Sequence, residues 1–223
     1  FLKGLSMKIS LIYRKILAEF FGTFCIAFIG LGTIYFSDDT NEIVIAIAFG
    51  VAVSSAIFTL GHISGGHFNP AVSLAMLIDK RLSVKEFFVY VVSQFSGALF
   101  GILLLLVGAP EVEVFSGLND FHIILFFEMF ITYVFVYVIL AVSQRKHLKN
   151  QIGFIVGFTL TGLIIMSFSV SGGGLNPAVI FSALLMNQGL QFYLPYLLGT
   201  MIGSSLAAIS YKMLKFKDKD TIE

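Results

Sequence analysis

One ten-residue phrase occurs twice in this chain, and both times it interrupts apolar text of membrane length. The first copy reads Ile63-Ser64-Gly65-Gly66-His67-Phe68-Asn69-Pro70-Ala71-Val72, and the second Val170-Ser171-Gly172-Gly173-Gly174-Leu175-Asn176-Pro177-Ala178-Val179. Each runs on into a short apolar stretch, Ser73–Ile78 or Ile180–Met186, too short to cross a bilayer. Asparagine is a favoured N-cap, and proline in the first helical turn forfeits no needed hydrogen bond. Each Asn-Pro-Ala therefore predicts a half-helix with unpaired early N–H groups and a partly positive N-terminus. The glycines before it let an extended chain run close to its neighbours with carbonyls turned inward. Non-helical backbone at membrane depth is tolerated only where protein buries it or a water-filled cavity borders it. Paired short segments at matching places in two halves point to a central site between them.

The surrounding text supplies the membrane. Six segments reach the roughly 20 apolar residues a spanning helix needs: about Ile12–Phe36, Ile43–Leu60, Glu86–Val107, Phe121–Val142, Gln151–Phe168 and Gln191–Leu214. Every Lys and Arg then falls on one side. Lys3 and Lys8 precede the first span, Arg14 and Lys15 stand in its opening turn, and Lys80, Arg81 and Lys85 lie between the second and third. Arg145, Lys146 and Lys149 separate the fourth from the fifth, Lys212 stands in the closing turn of the sixth, and Lys215, Lys217 and Lys219 follow it. The opposite connections hold Asp38, Asp39, Glu42, Glu111, Glu113 and Asp120. Positive residues favour the cytoplasm, so both termini are expected there.

Three spans per half is an odd number, so the halves, about 10–109 and 119–215, face opposite ways within a single domain over 1–223. The expected fold class is an all-α membrane protein: six transmembrane helices plus two re-entrant half-helices in an inverted 3+3 repeat. With 57% apolar and 12% charged residues, the chain has too little charge to cover a soluble surface. Its net charge of +1 and ungrouped cations argue against nucleic acid. The lone Cys25 excludes an intrachain disulfide and reads as a small buried hydrophobe. The opening Phe1-Leu2-Lys3-Gly4 is too short and polar for a signal peptide.

On these two motifs and the six-span pattern, the chain resembles the aquaporin, or major intrinsic protein, family over essentially its whole length. The resemblance implies a right-handed bundle, a homotetramer with one pore per subunit, and passive movement of water and small neutral solutes. The expected location is the cell (plasma) membrane. It also implies that Glu19 and Glu128, mid-membrane carboxylates in similar settings, brace the two loops. His67 would contribute to the pore wall and His62 would pack behind it. Gly65, Gly66, Phe68, Gly172, Gly174 and Leu175 complete the expected pore-lining backbone beside Asn69 and Asn176. Four histidines without a clustered carboxylate or cysteine give no metal site, and no cofactor is expected.

Four family positions that form a constriction can be carried over by spacing: Phe49, Ile164, Gly173 and Val179. Family water channels have histidine at the position of Ile164, and the family usually has arginine at that of Val179. The expected constriction is wider and less polar, with no fixed cation. The leading reading is a passive channel for water and small uncharged solutes such as glycerol, urea, ammonia, hydrogen peroxide or metalloid acids. A strictly water-selective channel is the alternative. A coupled transporter would need a titratable group in the pathway, for which Glu19 and Glu128 are the intramembrane candidates. Intact motifs argue against a non-conducting structural protein, and no nucleophile sits beside a base at a spacing that suggests an enzyme.

Overall fold

The computed structural model describes residues 10–36, 41–108, 120–187, 189–216 and 219–221 of the 223-residue chain. Lys3, Lys8, Lys217, Asp38, Asp39, Glu111 and Glu113, used above to assign sides, lie outside the described residues, as do both chain ends. Among the described residues the fold is all-helical: α1 Leu11–Tyr35, α2 Glu42–Ser64, α3 Pro70–Ile78, α4 Val84–Leu105, α5 Phe121–Val142, α6 Ile152–Ser171, α7 Pro177–Met186 and α8 Tyr193–Leu214. Six of these are long and apolar enough to cross a membrane, while α3 and α7 are short.

Local chemistry explains most boundaries. The Asn41 and Asp120 side chains accept N–H groups at the starts of α2 and α5. Ser83 and Glu86 form a reciprocal capping box, which starts α4 at Val84, two residues before the expected Glu86. The helices α2 and α6 run further than expected, to Ser64 and Ser171. Polar residues do not stop them, because the final Ser64 and Ser171 are buried in the bundle interior. What stops them is the left-handed backbone of Gly65 (φ 95°) and Gly172 (φ 80°).

Polarity is distributed inside out. Large apolar side chains such as Phe158 and Val92 stand on the perimeter, 74% and 65% exposed, whereas Glu19, Gln94, Ser73, Glu128, Ser171 and Thr200 are buried. A lipid-facing perimeter explains both: apolar groups lose nothing there, and polar groups must find partners within the protein.

Small residues set how closely the helices approach. A Cβ on Gly97 of α4 would overlap the Phe20 carbonyl of α1, and one on Gly203 of α8 would overlap the Met129 carbonyl of α5. The same contact thus occurs once in each half. A second close approach joins the halves: Gly50 of α2 lies against Thr161 and the Gly157 carbonyl of α6, and Gly157 against Ser54. Such spacing lets helices pack backbone to backbone where lipid offers no hydrophobic drive. The half-helices are gripped across the halves too, with α3 packing on α8 and α7 on α4.

Candidate pore and loop-clasp site

The two half-helices meet N-terminus to N-terminus. Asn69 caps α3 by accepting the Ala71 N–H at 2.8 Å, and Asn176 caps α7 by accepting the Ala178 N–H at 3.1 Å. Their amide nitrogens reach across. Asn69 Nδ2 donates to the Leu175 carbonyl at 2.9 Å, and Asn176 Nδ2 donates to the Phe68 carbonyl at 2.9 Å. Each asparagine thus holds the residue that precedes the other. One N–H on each amide is left over for a molecule in the cavity that both side chains border.

Phe68 and Leu175 need holding. Both have left-handed backbone, φ 49° and 46°, a costly conformation for a bulky residue. Each is clamped from two directions. The Phe68 N–H donates to Glu19 Oε2 at 2.6 Å and the Leu175 N–H to Glu128 Oε2 at 2.8 Å, while the opposite asparagine holds the carbonyl.

The carboxylates are fully buried. Glu19 takes four donors: Ser64 Oγ at 2.6 Å, the His67 N–H at 3.1 Å, the Phe68 N–H, and Gln94 Nε2 at 2.7 Å. Glu128 takes three, from Ser171 Oγ and the N–H groups of Gly174 and Leu175, each at 2.8 Å. A tyrosine closes each loop: Tyr90 donates to the Ser64 carbonyl at 2.6 Å and Tyr196 to the Ser171 carbonyl at 2.7 Å. Neither carboxylate borders the cavity. Gln94, Tyr90 and Tyr196 escaped the sequence reading, since an isolated polar residue in an apolar span carries no spacing signal. Two of them, Tyr90 and Tyr196, lie at corresponding places before Gly97 and Gly203, which is the clue the repeat offered.

The halves differ at one point. Gln94 Nε2 also donates to Ser73 Oγ at 2.9 Å, and Ser73 Oγ lies 3.1 Å from His67 Nδ1. Turning the Gln94 amide over would set its oxygen against Glu19, so Oε1 is left without a partner among the described residues. Ser73 Oγ accepts from Gln94, and its own hydroxyl hydrogen is available to His67 Nδ1, an arrangement that places the ring proton of His67 on Nε2. The position equivalent to Ser73 in the second half is Ile180, so no such relay exists there. His62, by contrast, is exposed on the last turn of α2 rather than packed behind the loop. Its expected bracing role is corrected: Ser64, two residues on, turns inward and takes it, because helical geometry places the two residues on different faces.

A cavity enclosing about 1080 Å³ of empty space, open mouths included, follows the bundle axis. Its wall runs from Val142, Ser143 and Ile152 at one end, past His67, Asn69 and Asn176, to Ile34 and Phe168 at the other. Phe49, Ile164, Gly173 and Val179 all border it, as do Gly65, Gly66, Phe68, Gly172, Gly174 and Leu175. The Phe49 ring packs on Gly30. A Cβ on Gly173 would lie 3.1 Å from both Ile164 Cα and Ser167 Oγ, and φ there is +64°. That position therefore favours glycine. Pro70, Ala71, Pro177 and Ala178 begin the half-helices behind the asparagines.

The Ser143 end carries charge. Asp79, its side chain only 3% exposed, joins Arg81 and Lys215, each at 2.8 Å. Arg81 also donates to Ser143 Oγ at 2.7 Å, and Lys15 pairs with Glu86 at 2.7 Å. The beginnings of α1 and α4 and the ends of α3, α5 and α8 thus share one end of the bundle.

The major intrinsic protein family matches residues 6–211. A glycerol uptake facilitator protein-like relative from Lactiplantibacillus plantarum is 33% identical over 221 residues, covering 92% of this chain and 100% of the relative. The lens fiber major intrinsic protein of Rattus norvegicus is 33% identical over 215 residues, covering 92% of this chain and 82% of that protein. The X-ray structure of the aquaglyceroporin from Plasmodium falciparum superposes with a TM-score of 0.79 at 21% identity, covering 91% of this chain and 96% of that one; at that identity it speaks for the fold. With two capped half-helices meeting inside six membrane-length helices, and this match across nearly its whole length, the chain belongs to the major intrinsic protein family of multi-pass membrane channels, which are not enzymes.

Proposed function

We propose that the protein is a passive channel for water and small uncharged solutes such as glycerol, urea, ammonia, hydrogen peroxide or metalloid acids. Its constriction is formed by Phe49, Ile164, Gly173 and Val179, in a single channel domain. The observation that carries this reading is the axial cavity itself: it is bordered at its middle by both asparagine amides and, on the Val179 side, by apolar side chains with no cation among them. Two half-helix N-termini directed at the midpoint oppose cations there. Stripping an ion of its water in so apolar a bore is costly as well, so metal ions are excluded. The similarity to a glycerol uptake facilitator protein-like relative supports a solute wider than water.

Glu19 and Glu128 act in this proposal as loop braces. Their oxygens are occupied by loop N–H and side-chain donors, and neither borders the pathway, which favours a channel over a proton-coupled transporter. The cationic end of the bundle faces the cytoplasm with both termini, the membrane is the cell (plasma) membrane, and the assembly is a homotetramer.

Stopped-flow light scattering on proteoliposomes tests the reading. Glycerol and urea should enter well above the rate of protein-free vesicles, without saturating and without responding to a proton or sodium gradient. Rapid water flux with solute entry at the protein-free rate would establish the strictly water-selective alternative instead.

A further inference from the structure

We infer that the cationic end of the bundle, between α5 and α8, carries a binding site for the phosphate of an anionic phospholipid. The inference goes beyond the channel reading and needs only the membrane, so lipid binding and solute flux stand or fall separately.

A second cavity, about 490 Å³ of empty space with its open mouth included, lies toward the ends of α5 and α8. Its wall includes Tyr137 of α5, Tyr211 and Leu214 of α8, and Arg145, Lys215 and Phe216 just beyond the helix ends. Two spans finish here, and tyrosines with cations beyond them mark the level of the lipid headgroups. The Arg145 backbone is fastened: it forms a β-bridge with Thr221, and the neighbouring Lys146 N–H donates to the Asp220 carbonyl at 2.9 Å.

The wall has the chemistry a phosphate needs. Asp79 is shared between Arg81 and Lys215, so these three groups keep one positive charge in excess. Both cations flank the Tyr211 ring, Arg81 at 5.8 Å and Lys215 at 5.7 Å from its centre. Arg145 adds a guanidinium, whose five N–H donors can serve a phosphate alongside a protein partner. The hydroxyls of Tyr137 and Tyr211 enter no hydrogen bond among the described residues, which leaves two O–H donors on the wall. No carboxylate borders the cavity among the described residues.

The mouth favours a lipid as the source of that phosphate. Leu214 and Phe216 are 70% and 74% exposed at its rim, where acyl chains can cover them. A free phosphate would use the cations and hydroxyls and leave both side chains bare. A choline headgroup would bring its own cation toward Arg145 and Lys215, so a headgroup with net negative charge fits better. Bound there, one phosphate ties the end of α5 to that of α8, beside the Arg81–Ser143 contact at the pore mouth.

The test uses the whole protein in neutral detergent, with phosphatidylglycerol or phosphatidylcholine of the same acyl chains added. The unfolding midpoint against lipid concentration gives each apparent affinity. Phosphatidylglycerol should bind at least about fivefold more tightly, the step that one nearby cation supplies. Arg145→Gln should remove most of that preference. Tyr211→Phe, which keeps the ring and deletes only the hydroxyl, should weaken phosphatidylglycerol several-fold. Lys85→Gln deletes a cation of the same end that does not border the cavity, and should keep the full preference. Equal wild-type affinity for the two lipids overturns the inference. A preference unchanged in both Arg145→Gln and Tyr211→Phe overturns the assignment to this cavity, and so does an equal loss in Lys85→Gln, which would mark diffuse attraction. Inorganic phosphate that stabilises the wild type as phosphatidylglycerol does, and loses that effect in Arg145→Gln, overturns the lipid as the source.

Discussion

At the residue scale, the two loops are held by few atoms, and the halves hold them differently. Replacing Glu19 by Gln turns an amide group toward donors that previously met a carboxylate, and each bond to a charged acceptor is worth about 1.5–3 kcal/mol. Glu19→Gln is expected to lower the thermal unfolding midpoint in detergent more than Glu128→Gln, because Glu19 takes four donors and Glu128 three. Equal shifts from the two variants would count against this ranking. Ser73 carries a finer prediction. Its hydroxyl oxygen lies 3.1 Å from His67 Nδ1, and donation from it to Nδ1 favours the Nε2–H tautomer, so Ser73→Ala is expected to remove about 1 kcal/mol of that preference. Nitrogen-15 NMR of labelled histidine should show one tautomer of His67 in the wild type and a mixture in the variant. Val179→Arg restores a cation and narrows the bore, so it should reduce glycerol flux more than water flux in the same vesicles.

At the element scale, close helix contacts decide whether the bundle can form at all. Gly97 and Gly203 each sit where a side chain would overlap a carbonyl of the neighbouring helix. Neither backbone can yield without opening the α1–α4 or α5–α8 pair. Gly97→Val and Gly203→Val should each cost about 1–3 kcal/mol or more through overpacking, read as a lower unfolding midpoint or loss of monodisperse protein in size-exclusion chromatography. Gly162, whose Cβ would meet nothing within 4 Å, is the control: Gly162→Ala should leave the midpoint unchanged or slightly raised. The four-residue recurrence of glycines in α4 and α8 made this packing legible in the sequence. The α2–α6 contact through Gly50 and Gly157 was less legible: Gly153 and Gly157 recur at that spacing in α6, but α2 carries no matching pair to mark the partner.

At the scale of the whole molecule, the cationic end is fastened by Asp79. This one carboxylate joins the end of α3 to Arg81, which reaches Ser143 after α5, and to Lys215 after α8. Asp79→Ala leaves two cations with a lost partner and is expected to destabilise by about 3–5 kcal/mol if the site stays as closed as it is now. Faster hydrogen exchange confined to the ends of α3, α5 and α8 should accompany a fall in unfolding midpoint. Exchange that instead rises uniformly across the bundle would show that Asp79 does not act locally.

The sequence by itself determined the membrane, the six spans, the inverted pair of half-helices and the shared side of the cations. These follow from length, periodic apolarity and helix-end chemistry, all of which act along the chain. The positions of Phe49, Ile164, Gly173 and Val179 could be carried over by counting from Asn69 and Asn176, because helices keep register. Only the tertiary structure decided the partners that lie far apart in the chain. Asn69 meets the Leu175 carbonyl, Gln94 meets Glu19, and His62 is left outside while Ser64 turns in. A lone polar residue in an apolar span says that it needs a partner, but not which one. That choice belongs to the helix packing, which also sets the Gly174 and Leu175 N–H groups against Glu128.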